Sequence, residues 1–167
     1  MIQVYTGNGK GKTTAALGLA LRAAGAGKKV YICQFLKKGA FCEHAALKKF
    51  TAITCEQFGT SFFLRQSPSA KDVQSAKKGL EAAAKAIKGK KYDVIILDEV
   101  NVALALKLLQ PGEVLSLIKS APVTIEVILT GRNADPKIIQ CADLVSEIKE
   151  VKHYFKRGVK ARKGIEF

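Results

Sequence analysis

Short apolar runs alternate with segments of helical spacing along almost the whole chain. Ile2-Gln3-Val4-Tyr5 reads as a strand, and residues 13–25 carry alanine and leucine at helical spacing, ending near Gly25 and Gly27. Val30 to Phe35 is the next apolar strand, followed by a less regular stretch over 36–67, with glycines and aromatics, and Pro68. From Ser69 to Ile87, Val73, Ala76, Leu80, Ala83, Ala84 and Ile87 recur with a helical period, and Ser69 suits the N-cap. Val94-Ile95-Ile96-Leu97 are apolar without a break, which predicts a strand covered on both faces. Helical residues 100–109 come next, then a short helix opened by Pro111. Thr124–Thr130 predicts another strand, Pro136–Cys141 a short helix and Leu144–Ile148 the last strand. Such alternation predicts an α/β fold of three layers, a mostly parallel sheet flanked by helices, built as one domain over residues 1–167.

Composition narrows the class without naming a chemistry. The 167 residues, 48% of them apolar, suffice for one core. No window approaches twenty uninterrupted apolar residues, so no membrane-spanning helix is expected. The sequence starts with Met1 and a strand, leaving no room for a signal peptide. Cys33, Cys42, Cys55 and Cys141 are scattered, without a C-x-x-C pair, and Cys42-Glu43-His44 is too isolated for a metal site. Reduced thiols in a cytoplasmic protein are the plain expectation.

Charge adds a second constraint. Twenty-eight Lys and Arg against fourteen Asp and Glu give a formal net charge of +14, which favours anionic partners. Much of it, such as Lys71, Lys77, Lys78, Lys85, Lys88, Lys90 and Lys91, reads as a solvated helix face. The basic tail from Lys149 to Lys163 is the exception.

Between the first strand and the first helix lies Gly7-Asn8-Gly9-Lys10-Gly11-Lys12-Thr13-Thr14. Glycines let backbone N–H groups converge on an anion, and the helix start adds its positive dipole end. In such loops the lysine, here Lys12, reaches the phosphates and the next hydroxyl, Thr13, takes a magnesium position. The familiar Gly-x-x-x-x-Gly-Lys-[Ser/Thr] spacing would need glycine at position 6, where Thr6 stands. The first glycine arrives one residue late, so a triphosphate here need not take the usual pose. The expectation sharpens to a P-loop NTPase-like sheet. Asp98-Glu99 closes the buried strand at the edge where open α/β sheets bind ligands. A carboxylate there can hold magnesium. In an extended strand the two would point to opposite sides, so one of them would face the ion; spacing does not choose between them.

Thr6 to Ala16, Leu97-Asp98-Glu99, Leu129-Thr130-Gly131-Arg132-Asn133-Ala134 and Ala142-Asp143-Leu144-Val145-Ser146-Glu147 have counterparts in one family. So do Val151-Lys152-His153-Tyr154-Phe155, Gly158-Val159-Lys160-Ala161 and Gly164-Ile165-Glu166-Phe167. Together they resemble the cob(I)alamin (corrinoid) adenosyltransferases of the phosphate-loop type, from the first strand to the last residue. The glycine loop alone is common to many nucleotide enzymes. Its combination with the Thr-Gly-Arg strand end and the Lys-His…Gly-Ile-Glu-Phe ending is specific.

The resemblance implies that ATP donates its adenosyl group to Co(I) of a corrinoid and that the triphosphate leaves, with the nucleotide lying reversed along the loop. It implies Lys12 and Glu99 as catalytic residues. It puts Thr6, Gly7, Asn8, Gly9, Lys10, Gly11, Lys12, Thr13, Thr14, Arg22 and Arg132 at the ATP, and Mg2+ on Thr13 with Asp98 or Glu99. For Arg22 an exposed helix arginine is the other reading. Phe62 and Phe63, in Gly59-Thr60-Ser61-Phe62-Phe63, are the candidates for the corrinoid's lower face, with a local hydrophobic plug as the alternative. The tail over 149–167 is expected to close over the site and to dock an acidic flavodoxin-type electron donor. Relatives often carry an N-terminal extension that covers the partner's site; this sequence starts at the strand, and a homodimer is still expected. Two other classes compete. A P-loop ATPase would use Glu99 to activate water and release ADP and phosphate, and a nucleic-acid module would use the lysines on phosphates, at best as a second activity.

Overall fold

The computed structural model of the protein describes residues 1–39, 41–60 and 68–167. Its strands are β1 (Ile2–Thr6), β2 (Val30–Phe35), β3 (Ile53–Phe58), β4 (Val94–Asp98), β5 (Glu126–Thr130) and β6 (Leu144–Glu147). The helices are α1 (Lys12–Gly25), α2 (Cys42–Leu47), α3 (Ala70–Lys88), α4 (Val100–Ala105), α5 (Pro111–Lys119) and α6 (Pro136–Cys141), with a short 3-10 turn at Tyr154–Arg157. All six strands join one sheet in the order β3-β2-β4-β5-β1-β6, and each pairing is parallel.

Because side chains alternate along a strand, the central strands divide their apolar residues between two cores. Tyr31, Cys33, Phe35, Ile95, Leu97, Val127 and Leu129 pack with α3, α4, α5 and Ile138 of α6. Val30, Ile32, Val94, Ile96 and Ile128 face the other way, onto Ala16, Ala20 and Ala23 of α1 and Leu47 of α2. Helices on both faces make the three-layer α/β fold that the strand–helix alternation predicts. The alanine row of α1 lets that helix lie close to the sheet, which brings its first turn next to the ends of β1 and β4.

Ser69 caps α3 as its sequence suggests: the Asp72 N–H donates to Ser69 Oγ at 3.3 Å, and the Ser69 N–H donates to Asp72 Oδ2 at 2.8 Å. The irregular reading of 36–67 needs correction. It holds α2 and β3, and β3 pairs with β2 along its full length. Two features hide it: β3 is an edge strand whose residues are mostly half-buried or exposed, and α2 has only six residues. Among the described residues no helix is long and apolar enough to cross a membrane.

Candidate active site

The glycine loop turns one residue later than the familiar motif because position 6 still belongs to the sheet. Thr6 accepts from the Ile148 N–H at 2.8 Å through its carbonyl, and from the Ala134 N–H at 3.4 Å through its hydroxyl. The turn itself falls on Gly7, at φ +95°. A Cβ on Gly7 would lie 2.5 Å from the Ile148 carbonyl, and one on Gly9 2.7 Å from the same atom. Gly9 N–H also donates to that carbonyl at 2.7 Å. The backbone leaving β6 therefore presses on the loop, and only glycine fits at both points. Lys12 is 7% exposed, and its ammonium donates to the Gly9 carbonyl at 2.7 Å. Burial pushes its pKa down, the Glu99 carboxylate beside it works the other way, and Arg132 adds to the lowering.

At the end of β4 the two carboxylates take different roles. Asp98 is 1% exposed and sits in a ring of donors. Thr13 and Thr130 hydroxyls donate to Oδ1 at 2.8 and 2.7 Å, while Gln34 Nε2 and Lys37 Nζ donate to Oδ2, both at 3.0 Å. Burial alone would raise the Asp98 pKa; the Lys37 charge and the hydrogen bonds overcome it and hold the carboxyl below its ordinary value. Lys37 also approaches Glu43 at 3.5 Å and stays charged despite its own burial.

Glu99 is not on an extended strand at all. It caps α4 in the left-handed region, φ 63° and ψ 15°, with its N–H donating to Thr130 Oγ1 at 2.9 Å. That backbone is costly for a residue with a Cβ, and such strain gathers where function holds a side chain in place. The expectation that alternation sends Asp98 and Glu99 to opposite sides is thus replaced by a sharp turn, which brings the Glu99 side chain into the cavity lining. Burial, then the Asp98 charge, raise the Glu99 pKa above its ordinary value. Its ionised form is disfavoured in the fold, so the cost is absent below the unfolded-state pKa and complete above the raised folded one. Glu99→Gln in metal-free, nucleotide-free protein should therefore melt at a higher temperature than the parent near pH 7.5. The gap should close as the pH falls towards 4, and thermal melts across that range check it.

These groups surround one cavity of about 800 Å³, inside the range usual for ligand sites. Gly9 to Thr14 of the loop, Lys37, Glu43, Glu99, Arg132, His153 and Gly164 to Phe167 line it. Of the sequence candidates, Gly9, Lys10, Gly11, Lys12, Thr13, Thr14, Glu99 and Arg132 meet there, while Asp98 stays behind the lining. Thr6, Gly7 and Asn8 are outside the lining and shape the loop from behind. Arg22 does not join them: it is exposed in the last turn of α1, about 15 Å along the helix from Lys12. Phe62 and Phe63 lie outside the described residues. Sequence reasoning missed Gln34 and Lys37. Gln34 carried a signal, since it is a polar residue inside a strand otherwise made for burial; Lys37 carried none.

A buried loop lysine and a strand-end acid facing one cavity define a phosphate-loop nucleotide enzyme. Comparison with known proteins fixes the kind. The family model of the ATP:corrinoid adenosyltransferases BtuR/CobO/CobP matches residues 1–167. The corrinoid adenosyltransferase of Pseudomonas aeruginosa is 37% identical, aligned over all of this chain and 83% of its own length. That of Escherichia coli K12 is 36% identical over all of this chain and 85% of its own. The corrinoid adenosyltransferase CobA of Salmonella typhimurium is 35% identical over the same shares. The chain belongs to the ATP:corrinoid adenosyltransferase family. It is a transferase whose substrates are ATP and a corrinoid.

Proposed function

We propose that Lys12, the loop amides and Arg132 hold the triphosphate of ATP while Co(I) of a corrinoid attacks the ribose 5′ carbon. The observation that supports this most is the single cavity shared by the loop, Glu99, Arg132 and the tail. The cobalt lone pair forms the Co–C bond, the C5′–O bond breaks, and its electron pair leaves on tripolyphosphate. No proton needs to move. What the protein supplies is alignment and compensation of the charge growing on the leaving oxygen. Lys12 and Arg132 provide cations for it, and the helix start of α1 provides aligned N–H groups.

The chemistry of the donor set suits Mg2+, a hard cation that takes oxygen ligands and often only one or two carboxylates beside phosphate oxygens. The Thr13 hydroxyl donates its hydrogen bond to Asp98, which leaves the oxygen lone pairs for a cation, and Glu99 lines the same cavity. Thr13 and Glu99 would hold the ion, with Asp98 fixing Thr13 from behind; bound there, Mg2+ would offset phosphate charge.

The wider setting belongs to the same proposal. Lys152, Lys160 and Lys163 stand exposed on the tail, suited to brief, salt-sensitive docking of an acidic flavodoxin-type donor. Leu144 and Val145 of edge strand β6 are 46% and 43% exposed, which favours a homodimer. The free thiols of Cys33, Cys42, Cys55 and Cys141 suit a reducing cytoplasm.

Incubation with MgATP and chemically reduced corrinoid should give adenosylcorrinoid and tripolyphosphate in equal amounts, with neither formed when corrinoid is left out. ADP and phosphate appearing at the same rate without corrinoid would replace this reading with the ATPase one.

A further inference from the structure

Lys10 ties the phosphate loop to the tail at the Glu166 carboxylate and at the Ile165 carbonyl. Lys10, in the loop, donates to Glu166 Oε1 at 3.2 Å and to the neighbouring Ile165 carbonyl at 2.6 Å. The Tyr154 hydroxyl donates to Glu166 Oε1 as well. Arg162 donates its N–H to Oε2 at 2.6 Å and its guanidinium to Oε1 at 3.5 Å, and that guanidinium lies 4.8 Å from the centre of the Tyr154 ring. The Tyr154 hydroxyl, then the Arg162 N–H and the Lys10 ammonium, pull the Glu166 carboxyl down to about 2, so it is ionised at any working pH. The Glu166 side chain is 19% exposed against 39% for Lys10, so the knot is partly shielded from water.

Its place gives the knot a consequence. Gly164, Ile165, Glu166 and Phe167 line the same cavity as Gly9 to Thr14. Lys10 thus links the phosphate loop to the cavity wall carried by the tail.

We propose that Glu166 is a positioning residue for adenosyl transfer, fastening the tail to the phosphate loop through Lys10 and so setting the cavity wall against the bound nucleotide. The proposal deepens the function given above and rests on it for the reaction itself. Lys10 then serves the tail and leaves the phosphates to Lys12 and the amides. A displacement depends steeply on the alignment of the attacking and leaving atoms, whereas nucleotide affinity depends on the loop. Loosening the wall should therefore cost turnover more than ATP binding.

The test compares the parent with Glu166→Gln, Lys10→Met and the double variant. Hydrogen exchange on substrate-free protein should quicken over residues 150–167 in each variant and stay unchanged in α3, which shows that the fold is intact. Turnover from preformed Co(I) should fall about tenfold or more in each single variant, with KM for ATP within about threefold of the parent. The double variant should be no slower than the slower single one, because the Lys10–Glu166 contact that Glu166→Gln weakens is already gone in Lys10→Met. Unchanged tail exchange, quickened exchange with parental turnover, or single losses that multiply in the double variant would each overturn the proposal. The exchange measurement uses neither substrate. A parent that made no adenosylcorrinoid would sink the functional reading, and would do so whatever the exchange result on the tie.

Discussion

Replacing Lys12 with alanine should cut kcat/KM for adenosyl transfer by about 10- to 150-fold while leaving the fold intact. The first part follows from the loss of a charge-assisted contact to an anion, about 1.5–3 kcal/mol, at about 1.4 kcal/mol per tenfold in rate. The second follows from the direction of the Lys12 pKa. Burial lowers it, which means that the fold disfavours the charged form. Removing that charge should not lower Tm, and Lys12→Met, which keeps the length of the stem, should melt at or above the parental temperature. A Lys12→Ala protein with parental kcat/KM would take Lys12 out of the site. One that is merely unfolded would show it in the melt.

Asp98→Ala should have the opposite signature, with stability as the main loss. Asp98 holds Thr13, Thr130, Gln34 and Lys37 together, and alanine would leave the Lys37 ammonium with Glu43 at 3.5 Å and take the shared acceptor from three polar groups. Breaking a buried ion pair from one side costs about 3–5 kcal/mol, or about 6–20 °C of Tm for a domain of this size. Asparagine keeps the shape but aims an amide N–H2 at donors, so Asp98→Asn should lose most of the same stability. The sign with pH follows from the depressed folded-state pKa. The Asp98 contribution is complete above the ordinary carboxylate range and fades as the pH falls below about 4 towards the lowered value. If Asp98→Asn melts within about 2 °C of the parent across that range, the four donors are not what holds this end of the sheet.

Legibility from sequence followed locality. The loop, α1, the buried run of β4 and the α3 cap are written in contiguous residues, and period and capping chemistry suffice to read them. The Asp98 ring is not contiguous. It exists because β2 and β4 are neighbours in register, Gln34 beside Asp98, and nothing local announces which strands will be adjacent. The clamp of Ile148 on Gly7 and Gly9 joins opposite ends of the chain in the same way. β3 escaped because Glu56 and Gln57 break its apolar pattern, as an edge strand permits. Glu99 shows a different limit. Its position was readable, but its direction depends on a left-handed turn that sequence gives no reason to expect of glutamate. Family resemblance pointed to the ATP and corrinoid chemistry that composition and charge left open between several polyanion binders.

The central claim is that the bond broken is C5′–O of ATP. ATP labelled with 18O at the ribose 5′ oxygen tests it in one turnover experiment with reduced corrinoid. The account predicts that the label leaves with tripolyphosphate and that the adenosyl group on cobalt carries none. Label retained on the nucleoside, with cleavage at a phosphorus–oxygen bond, would contradict it.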